Sequence, residues 1–591
     1  MTGQTAVVFL VFGAVLGLLL WGRWRYDLVA FAGLVVAVIA GVVPEDEAFS
    51  GFGHPATMIV ALVLVVSGGL VRSGAVQLLT RAFIDPRRAL PAHIATMGGM
   101  GAVLSAFMNN VAALALLMPV DIQAARKAGR LPRLSLMPLS FATILGGMVT
   151  LIGTPPNIIV SGIRADRLGE PFAMFDFLPV GGAVATVGLL FVALVGWRLI
   201  PAAADDSAAP DPMAEVRAYV AELVVPEDAA LVGTPIKPLR EAAERDGVEL
   251  LGVLRKDGTK VRVTASATFE PGDVLILEAA PDALEEFRSA HRLAASDKAW
   301  HQGTGGAPEI VEVVVPEGAR IAGRSAERIG LGWRRGTVLL GISRRGRRVR
   351  ERVRKTTIEP GDILLLLVPA GAVDDVVEWL RVLPLSDRGV RYTATGRTWL
   401  AIGVFAAAVV AASLGLVGLP VALGAVAVLY VVTGVLPISE IYEHIEWPVV
   451  VLLGSMIPLG HALEASGGTA LLAGGLSALT AGLPGWAVLA VLMVLTMSLS
   501  DILNNTATAI VAAPLAIDLA EGLGHNPDPY LMAVAIAASC AFLTPIGHKN
   551  NTLVLGPGGY RFGDYWRMGL PLELLVIAVS VPLIPVVWPL G

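Results

Sequence analysis

The chain has 591 residues, 55% hydrophobic and only 16% charged, against about 25% charged in an ordinary soluble domain. With a mean hydropathy of +0.70, this excludes a disordered chain and favours a polytopic membrane protein over a soluble enzyme. The net charge of −5 implies no nucleic-acid partner, and the single Cys540 excludes an internal disulfide, a cysteine zinc site and an iron–sulfur cluster.

The first apolar run, Thr5 to Leu20, has no basic segment before it and is followed by Arg23 and Arg25. That is the reverse of a cleaved signal, so the run reads as a membrane helix with its N-terminus outside. Further spans are expected over 28–43, 56–71, 94–120, 136–163 and 177–199. Basic clusters flank both ends of 94–120, so this stretch either enters and leaves from the cytoplasmic side or is an exception to the charge rule. Of the 93 charged residues, 58 lie between 201 and 400, so a soluble insert separates two membrane halves. The second half is expected to span near 399–417, 420–436, 448–464, 485–518, 531–556 and 570–589.

The halves repeat. Ser105-x-x-x-Asn109-Asn110, then Pro119, recurs 395 positions on as Ser500-x-x-x-Asn504-Asn505, then Pro514. Thr154-Pro155 is matched by Thr544-Pro545, shifted by 390. Five spans plus one hairpin is an odd count, which puts the copies in opposite orientations. Inverted repeats of this kind point to a secondary transporter, with its site where matched broken helices meet. The insert has its own repeat: Val224-Val225-Pro226-Glu227 recurs 90 residues later as Val314-Val315-Pro316-Glu317, and Pro271-Gly272-Asp273 recurs as Pro360-Gly361-Asp362. Short alternating runs and Pro-Gly-Asp turns predict two small α+β domains there. The expected fold is a mostly α membrane protein: two inverted repeats, each of about five transmembrane helices plus a re-entrant hairpin, around an α+β cytoplasmic insert. The boundaries are 1–200 and 397–591 for the repeats and 214–291 and 308–382 for the insert domains.

The paired Asn-Asn elements carry the chemistry. A sodium ion takes carbonyl, amide and hydroxyl oxygens, and a helix broken in the membrane frees backbone carbonyls while its half-helix N-termini face an anion. Ser105, Asn109 and Asn110 supply oxygens in the first copy, and Ser500, Asn504, Asn505 and Thr506 in the second. Interhelical hydrogen bonding is the alternative use of such residues, and duplication argues against it. Gly153-Thr154-Pro155-Pro156-Asn157 and Thr544-Pro545 through Asn551-Thr552 read as unwound backbone, tolerated at membrane depth only in protein or around a cavity. Lys549 reads as a cation favouring an anionic substrate, or as a snorkelling anchor. Asp501 reads as a cation or proton ligand, or as an N-cap at the hairpin break. In the insert, alternate Arg348, Arg350, Arg352 and Arg354 make one strand face basic, either as a protected edge or as a site for an anionic regulator or lipid headgroup. There is no Gly-x-x-x-x-Gly-Lys-Ser/Thr and no His-Glu-x-x-His, so neither an ATPase nor a zinc protease is indicated.

At these residues both membrane halves resemble the divalent anion–sodium symporter family of the ion-transporter superfamily, which contains sodium–sulfate and sodium–carboxylate symporters. The insert resembles two TrkA C-terminal (RCK-C) domains in tandem, as in the sulfate-permease-like branch. The resemblance implies sodium coupling without an organic cofactor, a homodimer in the inner membrane, and a transport region that moves like an elevator. It also implies two Ser-Asn-Thr hairpin tips, each near a sodium site and the substrate. These tips read Asn109-Asn110-Val111 and Asn504-Asn505-Thr506, with Ser105 and Ser500 upstream and Gly153 and Leu543-Thr544 in the unwound loops. Both tip serines are Asn here and one threonine is Val. With Lys549, that departure favours a compact inorganic dianion such as sulfate over a dicarboxylate, and a proton through Asp501 stays open as a coupling ion. A potassium transport component and a non-transporting anion sensor are the other readings. The absence of a Thr-Val-Gly-Tyr-Gly filter argues against the former.

Overall fold

In a computed structural model the structure describes residues 3–21, 23–75, 88–201, 397–480 and 482–591. Between them it describes parts of the insert, chiefly 220–236, 248–255, 267–278, 287–295, 309–316, 318–331, 337–344, 355–368 and 371–385. The chain divides into two compact units. One comprises residues 1–201, 391–551 and 561–591, the other 202–390 with 552–560.

The first unit is helical and apolar. Its first half runs α1 (Gly3–Trp21), α2 (Tyr26–Ile39), α3 (Pro55–Arg72), α4 (Leu90–Ser105), α5 (Asn110–Lys127), α6 (Arg133–Gly147), α7 (Pro155–Leu168) and α8 (Leu178–Leu194). Helices start where sequence chemistry asks them to. Prolines take the first turn of α3, α4, α7 and α8, where no intrahelical donor is needed. The expected 94–120 stretch is two helices broken at 106–109, and the expected 136–163 span is broken at 148–154. Asp121, fully buried in α5, is satisfied by His93 of α4 at 2.7 Å and Ser135 of α6 at 2.6 Å, which ties the hairpin to the next span.

The second unit holds two antiparallel sheets. The first has order β2-β3-β1-β4, from β1 (Val220–Val224), β2 (Glu249–Leu254), β3 (Val274–Glu278) and β4 (Ala294–Ala295). The second has order β7-β6-β8-β5-β9, from β5 (Glu309–Val314), β6 (Val338–Arg344), β7 (Arg347–Arg348), β8 (Ile363–Val368) and β9 (Leu383–Pro384), with short α9 (Ala326–Ile329) and α10 (Val373–Leu380). Each sheet has its own apolar core. The likeness extends to an irregularity, since the register shifts at Leu250/Gly252 in β2 and at Leu339/Gly341 in β6.

The Pro-Gly-Asp motif now has a physical account. Gly272 and Gly361 turn with φ of 85° and 86°, a region that favours glycine. The Asp that follows closes the turn: Asp273 accepts from Glu270 N and Asp362 from Glu359 N, both at 2.8 Å. Each is also paired with an arginine just past the preceding strand or at its end, Arg255 to Asp273 at 2.6 Å and Arg344 to Asp362 at 2.8 and 2.9 Å. Asp362 is 1% exposed. Arg344→Ala would strand its carboxylate and is expected to destabilise the second sheet by at most about 3 kcal/mol, the low end for a buried pair because Arg344 is partly exposed. Hydrogen exchange on the full chain checks this. Amides of β8 should exchange up to about a hundredfold faster, and unchanged protection would refute the turn's role. Arg348 lies in β7, while Arg350, Arg352 and Arg354 lie outside the described residues.

The first unit's second half runs α11 (Thr398–Ser413), α12 (Leu419–Val432), α13 (Trp447–Ala465), α14 (Gly468–Leu479), α15 (Gly485–Ser500), α16 (Asn505–Leu523), α17 (Pro527–Ser539), α18 (Lys549–Leu555) and α19 (Tyr565–Val587). Each expected stretch holds a helix, with 485–518 broken at 501–504 and 531–556 unwound over 540–548. Helix α14 was not expected. Its glycine-rich sequence resembles a loop, and 12 residues rise only about 18 Å, too short to cross a bilayer. The matching stretch of the first half, 76–87, lies outside the described residues. Among the described residues, four helical segments are long and apolar enough to span alone: Ser50–Arg72, Trp447–Ala465, Asn505–Leu523 and Phe562–Val587. The halves interlock through α7: Arg164 grips Asp528 of α17 with two bonds of 2.8 and 3.0 Å, and Arg167 reaches Asp518 of α16 at 2.8 Å.

Candidate functional site

Each Asn-Asn tip is built the same way. The first Asn caps the returning helix: Asn109 Oδ1 accepts from Val111 N and Asn504 Oδ1 from Thr506 N, both at 2.8 Å. The second Asn is tied to the serine that ends the incoming helix. Ser105 Oγ donates to Asn110 Oδ1 at 2.5 Å, and Ser500 Oγ to Asn505 Oδ1 at 2.9 Å. Ser105 and Ser500 are fully buried. The pattern of the sequence repeat is thus a pattern of contacts. The break in each hairpin is stabilised from within, leaving the N-terminal amides of α5 and α16 at the tips.

The unwound loops are also built alike. Thr150 Oγ1 donates to Ala106 O, and Thr544 Oγ1 donates to Asp501 O at 2.8 Å. Asn157 Nδ2 donates to Thr150 O at 2.8 Å, and Asn551 Nδ2 to Thr544 O at 3.1 Å. By contacts, the counterpart of Thr544 is therefore Thr150, not Thr154 as the Thr-Pro match proposes. The two Thr-Pro pairs occupy different places: Thr154-Pro155 starts α7, whereas Thr544-Pro545 lies in the unwound stretch. Thr154 is buried and extended, but its side chain makes no capping bond. Gly153 lies against Gly147, where an added Cβ would sit 2.4 Å from Gly147 O, and Gly147 in turn is pressed against the Asn110 amide. Leu543 enters through its backbone, its N–H donating to Asp501 Oδ1 at 3.0 Å.

Segment 544–551 joins the two tips. Thr544 holds the second tip through Asp501 O. His548 Nε2 lies 3.5 Å from Asn110 Nδ2, and Asn550 Nδ2 donates to Asn110 O at 3.2 Å and Thr143 Oγ1 at 2.8 Å, both beside the first tip. Asn551 Oδ1 accepts from Ser140 of α6 at 2.8 Å. Lys549 is not a bare cation. Its Nζ is 2.7 Å from Glu446 Oε2, and Glu446 Oε1 lies 3.5 Å from Asn109 Nδ2 of the first tip. Nor does Asp501 N-cap the returning helix, since Asn504 does that; Asp501 ends α15 instead. Sequence reasoning missed Glu446, His548, Asn550, Asn551 and Glu573. Glu573 is the one acidic residue of the apolar α19, so the rule that singled out Lys549, charge at membrane depth, reaches it as well.

The donor set fits a hard cation at the tips. Buried acceptor oxygens Asn157 Oδ1, Asn550 Oδ1 and Asp501 Oδ2 have no donor among the described residues. Neutral oxygens with one carboxylate are ligands for sodium, whereas among the described residues no cluster of three His, Cys, Asp or Glu suits a transition metal.

The family model described as citrate transporter, CitMHS, matches residues 16–537 and 481–590. An uncharacterized transporter of Synechocystis sp. is 30% identical over 97% of this chain and 95% of its own length. A Chlamydomonas reinhardtii protein named for a sulfur deprivation response is 28% identical over 94% of this chain and 97% of its own. Sodium/sulfate cotransporter 1 of the same alga is 25% identical over 57% of this chain and 39% of its own.

Proposed function

We propose, since the chain belongs to the citrate transporter (CitMHS) family, that this multi-pass membrane protein is a sodium-coupled importer of a divalent inorganic anion, sulfate first. The observation that carries the reading is the convergence of two like-built tips on segment 544–551. Half-helix N-termini and side-chain amides face an anion there, and neutral oxygens surround a cation. The sulfate assignment draws support from the names of the algal relatives and from the tips, where Val111 lacks the hydroxyl that Thr506 keeps. The two halves act as inverted repeats, and the tips ride an elevator-like transport region in a homodimer of the inner membrane. The insert, with two RCK-C-like domains over 214–291 and 308–382, hangs in the cytoplasm and regulates transport through an anionic ligand on the Arg348–Arg354 face.

A carboxylate substrate is the second reading, favoured by the family's own description. Purified protein in liposomes, given labelled sulfate with and without an inward sodium gradient, separates the two. Sodium-driven sulfate uptake that resists excess succinate and citrate is the expected result. Succinate or citrate uptake under the same gradient, with none of sulfate, would keep the site and overturn the substrate.

A further inference from the structure

A cavity of about 370 Å³ lies between α3 and α13 on one side and α7 and α16 on the other. Close-packed interiors hold few voids larger than a water molecule, and this volume falls within the range of small-molecule sites, about 300–1,000 Å³. The helices around it are not splayed apart. Beside the cavity α7 presses on α3 at Gly162, where an added Cβ would sit 3.1 Å from both Ala56 Cβ and His54 Cε1. The room is local to the cavity wall. At Gly460 of α13, which lines it, an added Cβ would meet only Ile510 Cγ2, at 4.0 Å.

The deep lining is apolar: Ile159 of α7 with Ile510 and Pro514 of α16, all buried, and then Ile163 and Ile457. The outer lining is charged. Asp166 is exposed, and Arg167 and Glu464 are half-buried. Carboxylates do not face hydrocarbon, so they mark the mouth.

The mouth is acidic in sum. Arg167 is shared, Nη1 lying 2.5 Å from Glu464 and Nη2 2.8 Å from Asp518. Arg164, one turn away, is bound to Asp528. His54 does not offset Asp166. As the cap of α3, its Nδ1 accepts from Ala56 N at 3.2 Å, so the ring proton is on Nε2, which meets Asp166 Oδ2 at 3.0 Å. An imidazole that accepts through one nitrogen and donates through the other is neutral. Asp166, Glu464 and Asp518 therefore share one guanidinium, an excess of two negative charges. Even a protonated His461, exposed on the same mouth, would leave an excess of one.

We propose that this cavity binds a protonated amine with a compact apolar body. The ammonium sits at the mouth with Asp166 and Glu464, and the body rests on the isoleucines. An anion is repelled by the same mouth, so the site is distinct from the tips. Helix α7 starts at Pro155 beside the first unwound loop, and α16 starts at Asn505 of the second tip. An occupant wedged between these helices and α3 and α13 holds them in place and should inhibit uptake. The inhibition rests on the carrier reading above; the binding site does not.

Calorimetric titration of the full chain in phosphatidylcholine nanodiscs with adamantylamine tests the site with no anion present. Saturable binding is expected. Adamantanol, which keeps the body without the charge, and methylamine, which keeps the charge without the body, should each bind about fivefold less tightly or worse. Asp166→Asn should weaken binding of the amine by about fivefold. Gly460→Leu fills the cavity and should abolish it. Asp166→Asn, at an exposed position, keeps the test decisive should Gly460→Leu not fold. No saturable binding to the wild type, or wild-type affinity in Asp166→Asn, overturns the proposal. So does adamantanol or methylamine binding as tightly as adamantylamine. In liposomes the amine should inhibit wild-type uptake, and Asp166→Asn should need about fivefold more of it. Uptake unchanged at saturating amine overturns the wedge. Should neither sulfate nor carboxylates be transported, the carrier reading fails while the titration still decides the site.

Discussion

Asn110→Ala and Asn505→Ala should each raise the sodium concentration needed for half-maximal uptake by about tenfold to a hundredfold, the effect of losing a buried hydrogen-bonding partner worth about 1–3 kcal/mol. The carbonyl oxygen of each Asn is tied to the serine of its own tip, at 2.5 Å for Asn110 and 2.9 Å for Asn505. Alanine removes a cation ligand and leaves a buried serine hydroxyl without that acceptor. The effects should differ in one respect. Ser500 Oγ shares its one proton with Ala538 O at 2.6 Å, so the second tip retains an anchor after Asn505→Ala. Asn110 Nδ2 also lies 3.5 Å from His548 Nε2 of the bridging segment, a side-chain contact that alanine removes. Asn110→Ala should therefore disturb anion affinity as well as sodium dependence, whereas Asn505→Ala should act mainly on sodium. Sodium titrations of uptake at fixed anion, repeated with anion titrations at saturating sodium, separate the two. Unchanged sodium dependence in both variants would remove the tips from the cation site.

The sequence made the tips legible because their chemistry is local. A serine, two asparagines and a helix restart all lie within six residues, and duplication displayed them twice. The helices were legible for the equally local reason that apolar runs end at charges, prolines and glycines. What stayed hidden depends on distant chain meeting distant chain. Glu446 lies more than 300 residues from Asn109 and about 100 from Lys549, and nothing in its acidic neighbourhood, Glu440 to Glu446, sets it apart. Asn550 and Asn551 were in view, but the charge of Lys549 between His548 and Asn550 drew the inference to itself. The Thr154–Thr544 match failed because string identity favoured a Thr-Pro pair, while the fold uses a threonine hydroxyl at the matching distance from the tip. Helix α14 was hidden by the glycines that also make it short.

Lys549→Gln and Glu446→Gln should move anion affinity in opposite directions. The Lys549–Glu446 pair, at 2.7 Å with side chains 26% and 34% exposed, is reached by solvent. Its members therefore interact by no more than about 1 kcal/mol. A cation held that loosely remains able to turn from the carboxylate to an incoming dianion, which carries twice the charge. Removing the carboxylate in Glu446→Gln frees the ammonium and should tighten anion binding by about fivefold. Removing the ammonium in Lys549→Gln leaves Glu446 beside the first tip, where it repels an anion, and should weaken binding by at least as much. The double variant separates the two roles that the sequence left open for Lys549. If Lys549 meets the anion, Glu446→Gln cannot rescue Lys549→Gln beyond lifting the repulsion, and the double variant stays weaker than wild type. If Lys549 only neutralises Glu446, removing both together restores wild-type affinity. Anion titrations of the four proteins at one sodium concentration supply the cycle, and full restoration would reduce Lys549 to a counter-ion and leave the anion to the amides of the tips.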